Sequence, residues 1–161
     1  MIMEILTNQN PLLRKVSKPV KKVTKEIREL AANMEETLRA APGIGLAAPQ
    51  VGQSIRMIIA DIGEGLYVLI NPKVIKKKGK QIFTEGCLSL PGIEAPVERA
   101  NHIIVKATDL KGKLVQVEAQ DLLATAFQHE IDHLDGTIFI DRADPETLET
   151  VPLDDEDEEE D

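Results

Sequence analysis

Residues 121–136 read DLLATAFQHEIDHLDG, and the folding of that stretch decides most of what this chain is expected to be. In an α-helix residues four apart share a face, so His129 and His133 can each offer a ring nitrogen to one metal ion. Glu130 is turned away from direct ligation but stays within reach of a water at the metal, where it can act as general base. Leu122 and Ala126 continue the histidine face. Leu123, Phe127 and Leu134 form a neighbouring apolar stripe, so the flank of the helix is expected to be buried. Asp121 is the expected cap and Gly136 the stop. The chain has three histidines; the third, His102, opens a β-rich run near Arg99 and Asn101 and is read as structural.

Two histidines need a third protein ligand, with a fourth position left for water. The metzincin extension is closed, because the position that needs a third histidine is Phe139. Asp135, Asp141 and Asp144 are not excluded by spacing, but the helix is expected to end at Gly136. Cys87, the only cysteine, is better placed: it lies in a flexible-looking Glu85-Gly86-Cys87-Leu88-Ser89 segment, and a metal would stabilise its thiolate. The bland alternative is a small buried hydrophobe.

Working outward, Thr24 can cap a helix to about Ala41, with Ile27, Leu30, Ala31, Met34, Leu38 and Ala41 at helical spacing. Pro42-Gly43 ends it. Arg56–Asp61 and Leu66–Asn71 read as a hairpin about a four-residue loop, and His102–Thr108 with Lys113–Ala119 as a second. Strands in meander order before a closing helix give an α+β fold, with mostly antiparallel sheets around the C-terminal metal-binding helix and an N-terminal helix.

The net charge of −9 misleads as a property of the whole: residues 143–161 hold eleven acidic side chains and no Lys or Arg. The remaining 17 acidic residues face 19 basic ones. A catalytic body over 1–142 is therefore expected, followed by an acidic tail, 143–161, disordered by self-repulsion. No apolar run approaches the ~20 residues of a membrane span. Met1-Ile2-Met3-Glu4 does not begin like a secretory signal, and a lone cysteine excludes an intramolecular disulfide, so a cytoplasmic, bacterial-type setting is expected.

Residues 43–50 read GIGLAAPQ. They satisfy a dinucleotide fingerprint nominally, but a helix precedes and Pro49 interrupts, the reverse of the required context. Small residues here instead admit substrate backbone closely, and Gln50 offers an amide N–H to a developing oxyanion.

Together GIGLAAPQ at 43–50, EGCLS at 85–89 and QHEIDHLDG at 128–136 make residues 4–142 resemble the peptide deformylases, which remove the formyl group from the N-terminal methionine of new bacterial and organellar proteins. The resemblance implies Cys87, His129 and His133 as ligands of one divalent metal ion, commonly Fe(II), with zinc, nickel or cobalt able to replace it. It implies Glu130 as acid/base, and Gln50 with the backbone N–H of Leu88 as oxyanion donors. Gly45 would contact the formyl region, and Ile44 and Gly86 would pair with an extended peptide. Ile44, Phe83, Leu122, Thr125 and Ala126 would line the methionine pocket. Implied partners are N-formylmethionyl peptides and, transiently, the ribosome, with no membrane and no specific nucleic acid. In two places the chain departs from relatives: an arginine that some carry after the cysteine motif is absent from Pro91–Pro96, and a further, often basic helix is replaced by Pro145, Pro152 and the acidic run. Other classes that share the histidine pair are an endopeptidase, which would need a ligand after His133, and a non-catalytic peptide binder, which should lack one of the ligands, Glu130 or Gln50.

Overall fold

Met57-Ile58-Ile59-Ala60 has no polar alternation, and the strand it forms, β2, is buried along its whole length. Its two faces go to different partners. Ile58 and Ala60 join a core with Leu123, Ala124, Ala126, Phe127 and Leu134 of the C-terminal helix α2 (Asp121–Leu134). Met57 and Ile59 pack on Ala31, Met34 and Leu38 of the N-terminal helix α1 (Lys25–Arg39). A continuous apolar run is what a strand covered on both faces requires. The structure, a computed structural model, describes residues 1–7 and 10–150.

Around β2 lies an antiparallel five-stranded sheet in the order β1-β2-β3-β6-β7, with β1 at Gly45–Ala47, β3 at Tyr67–Lys78, β6 at His102–Thr108 and β7 at Leu114–Gln120. Both expected hairpins form. β3 runs past the expected Asn71, because bulges between Ile70 and Lys73 and between Val74 and Lys76 bend it through Asn71-Pro72 while it keeps its pairing with β6. Its lysines sit on the exposed end and masked the strand in the sequence.

A second antiparallel sheet joins β4 (Gln81–Cys87), β5 (Leu90–Arg99) and β8 (Glu149–Thr150). The cysteine segment is thus not a flexible loop: Cys87 ends a strand and pairs with Leu90 across a tight turn. Gly86, Pro91, Gly92 and Pro96 hid these strands, yet they hold where a register shift falls between Glu85 and Cys87.

Thr24 caps α1 by accepting from the Ile27 N–H at 3.3 Å, as expected. Asp121 does not cap α2. Gln120 holds the extended cap position without a side-chain bond, and Asp121 is the first helical residue, in the left-handed region at φ 52°. Asp121 N–H donates to the Asn101 carbonyl, and the peptide turns sharply from β7 into the helix. At the other end Gly136, at φ 74°, stops the helix, and a Cβ there would collide with the Arg14 carbonyl.

Described residues on the far side of the boundary expected at Arg142 pack against the body. Ala143 is buried with Leu13, Leu90, Val97 and Phe139, and Glu149–Thr150 pair with β5. The acidic run 154–161 lies outside the described residues.

Candidate metal centre and peptide cleft

Helix α2 runs with one flank against the five-stranded sheet and another against β4, so ten of its fourteen residues are buried. Five of those ten are polar: Thr125, Gln128, His129, Glu130 and His133. Buried polar groups need partners. Gln128 has three, donating to the Ala100 and Ala124 carbonyls and accepting from the Ala100 N–H, which pins the helix to the β5–β6 connection.

His129 and His133 converge with Cys87. Their ligand atoms lie within 4.8 Å of one another, and Cys87 Sγ is 3.3 Å from His133 Nε2. Metal–ligand bonds of ~2.0–2.3 Å would span such separations in a four-coordinate site. Orientation is set from behind. His129 Nδ1 lies 2.8 Å from Glu85 Oε1, which leaves its other nitrogen facing the triad. Arg99 holds Glu85 through two bonds of 2.6 and 3.0 Å and also binds Asp132, which in turn holds Arg142. The Phe139 ring stacks on His129 with centroids 6.0 Å apart, so the residue that closes the metzincin route acts as a buttress.

The electrostatics fit a cation. Burial pushes His133 down to about 3, with repulsion from His129 adding to it, so its ring is neutral and free to ligate. Burial works against a proton on His129, but the negative Glu130 and the bonds to Cys87 and Glu85 outweigh it and raise the imidazole well above its usual value. That proton is the competitor a metal displaces. Burial drives the Glu130 carboxyl up to about 7 against the pull of His129. Glu130 Oε1 is buried without a partner, and its Oε2 stands 4.0 Å from His129 Nε2. One thiolate and two imidazoles form a borderline-soft donor set suited to iron, zinc, cobalt or nickel.

Gln50 reaches the same point from the 3₁₀ turn after β1. Its Oε1 accepts from the Ala47 N–H at 2.9 Å, which fixes the amide orientation and sends Nε2 to Ser89 Oγ at 3.1 Å and Cys87 Sγ at 3.6 Å. Gly45 is the one place on β1 that tolerates no side chain: a Cβ would sit 2.6 Å from Glu130 Oε2.

A cleft of about 580 Å³ opens over this centre. Residues 2–149, nearly all of the described chain, match the family described as polypeptide deformylase. The chain belongs to that family. Among similar proteins, the peptide deformylase of Dictyoglomus thermophilum is 48% identical over 150 residues, covering 93% of this chain and 98% of that one. That of Halothermothrix orenii is 50% identical over 143 residues, covering 88% and 93%. The crystal structure of peptide deformylase from Thermotoga maritima superposes with a TM-score of 0.87 at 39% identity, covering 90% of this chain and 99% of that one. The Synechococcus elongatus peptide deformylase in complex with actinonin gives 0.86 at 38%, covering 88% and 79%.

Of the residues expected at a deformylase site, the cleft wall brings together Ile44, Gly45, Gln50, Phe83, Gly86, Cys87, Leu88, Leu122, Thr125, Ala126, His129 and Glu130. His133 lies behind, 1% exposed. The acids left open as third ligands are engaged elsewhere: Asp135 with Arg56, Asp141 with Arg14, and Asp144 in capping a 3₁₀ turn. His102 pairs with Glu118 on β7, in a structural role.

Sequence reasoning gave no role to Glu85, Ser89, Arg99 or Asp132. The signal for Glu85 was present: a metal-ligating histidine almost always gives its second nitrogen to an acceptor, and an acid stands two residues before the cysteine. Nothing local marks Arg99 or Asp132, whose pairing depends on β5 and α2 meeting.

Proposed function

We propose that this protein is a metal-dependent hydrolase that releases formate from the N-formylmethionine end of newly made polypeptides, with Cys87, His129 and His133 as ligands of one divalent ion. The observation that carries this reading is the convergence of that triad, the unpartnered Glu130 carboxylate and the Gln50 amide on one cleft whose wall has narrow glycines and an apolar end.

When bound, the metal supplies Lewis-acid chemistry and lowers the pKa of water to near neutrality. Glu130 takes the proton of the attacking water and later returns it to the leaving amine of methionine. Its burial keeps its proton affinity close to working pH. Gln50 Nε2 and the backbone N–H of Leu88 donate to the oxygen on which charge gathers, each worth a factor of ~10²–10³ in turnover. Ile44, Gly45 and Gly86 offer main-chain partners to an extended peptide. Ile44, Phe83, Leu122, Thr125 and Ala126 enclose the methionine side chain; the Thr125 hydroxyl already accepts from Gln81 Nε2 at 2.8 Å and makes no demand on an apolar guest.

Thiolate ligation puts electron density on the ion, and Fe(II) is the metal we propose in the cell, with zinc, nickel and cobalt as substitutes. Among the described residues no helix is long and apolar enough to cross a membrane. With bacterial relatives, a single thiol and a substrate made by translation, we place the enzyme in the cytoplasm, meeting the ribosome transiently. The test is product identity by mass spectrometry: formyl-Met-Ala-Ser should yield formate and free Met-Ala-Ser. An internally cut peptide with formate retained would overturn the reading in favour of an endopeptidase.

A further inference from the structure

Glu94 lines the same cleft from β5, half-buried. Of the other acids there, Glu85 is held by Arg99 and His129, and Glu130 lies in the interior, its Oε2 4.0 Å from His129 Nε2 and its Oε1 without a partner. Glu94 joins no ion pair among the described residues. Strand β8 then lays Glu149 directly opposite it, in the register Ile93↔Thr150 and Glu94↔Glu149. Side chains directly opposite share a face of the sheet, and like charges so placed destabilise the pair unless a cation intervenes. No described cation does. Lys73, Lys77, Lys78 and Lys80 border a separate hollow, whose α2 residues, Gln128, Ile131 and Asp132, are not those of the cleft. The cleft already has the mark of a ligand site, since Glu130, 4% exposed, turns an unpartnered oxygen there.

We infer that Glu94, with Glu149 beside it, selects the charge of the peptide downstream of formyl-methionine, favouring Lys or Arg over Asp or Glu at the second or third residue. The inference rests on the deformylase reading. Glu94 on the cleft wall, with Glu149 paired to it on β8, should give a preference of about threefold to tenfold at low salt, since exposed pairs are individually weak. The preference should shrink as ionic strength rises. It should lie in KM rather than kcat, because Glu94 belongs neither to the Cys87, His129 and His133 triad nor to the proposed base and oxyanion donors.

The experiment measures kcat and KM for formyl-Met-Ala-X and formyl-Met-X-Ala amides, with X as Lys, Ser or Glu, on wild type, Glu94→Gln and Glu94→Lys. Binding of the unformylated products is followed in parallel by calorimetry. The expected result is a Lys-over-Glu ratio above about three that falls toward one in Glu94→Gln and inverts in Glu94→Lys. A ratio near one in wild type, or one unchanged by Glu94→Gln, would overturn the inference. Absence of formate from every peptide would instead overturn the deformylase reading, and the product-binding ratios would still decide the charge preference.

Discussion

At the scale of single residues, the site depends on what is missing as much as on what is present. Gly45 has no side chain, and the Glu130 carboxylate occupies the space one would fill. Gly45→Ala should therefore displace the carboxylate and lower kcat by about 10², the usual cost of misplacing a catalytic group by ~1 Å. The metal content should stay at wild-type level, because the three atoms nearest the added Cβ all belong to Glu130, which is not in the triad. Loss of metal along with activity would show that the glycine supports the fold rather than the base. The glycine motif was legible in the sequence as a place of close approach. That its neighbour is the Glu130 carboxylate was not, because the contact joins residues 85 positions apart, on β1 and α2.

At the scale of elements, helix α2 carries the histidines but does not orient them alone. Strand β4 brings Cys87 and Glu85 to its side, and β5 brings Arg99 to hold Glu85. Glu85→Gln keeps size and polarity but removes the charge that fixes His129 and pairs with Arg99. It should weaken metal affinity about 10- to 100-fold, measured by competition with a chelator. An unchanged affinity would mean that packing by Phe139 suffices to hold the ring. The helices and both hairpins were readable because their apolar periodicity is strong: α1 from Ile27 to Leu38, and α2 from Leu122 to Leu134. Strands β4 and β5 were not, because their glycines and prolines mimic a loop. Their partners are each other, so only pairing reveals them. The cap was misplaced for a related reason. Asp121 has the right chemistry for a helix start, but the turn out of β7 puts Gln120 in the cap position.

At the scale of the whole molecule, the segment after α2 closes an apolar cluster between β5 and the chain near Leu13. Ala143 is buried among Leu13, Leu90 and Phe139, and β8 adds two residues to the edge of β5. Ending the chain after Arg142 should lower stability by about 1–3 kcal/mol relative to ending it after Thr150, from one buried methyl and a few strand hydrogen bonds. That is about 2–10 °C in melting temperature by calorimetry. Equal melting temperatures would show that β8 is marginal and that the body ends where the charge pattern placed its limit. Charge pattern alone could not find β8, because Pro145, Glu146 and Glu149 read as tail while the strand depends on an edge left open by β5. All three scales meet in the proposed roles of the triad from β4 and α2 as metal ligands and of Glu130 as the group that moves the proton. Their most direct test is formate release from formyl-Met-Ala-Ser by wild type and Glu130→Gln, each loaded anaerobically with iron to the same metal content. Wild type should release formate, and Glu130→Gln should do so about 10²–10⁴ more slowly at equal metal; a Glu130→Gln rate within a few-fold of wild type would exclude Glu130 as the base.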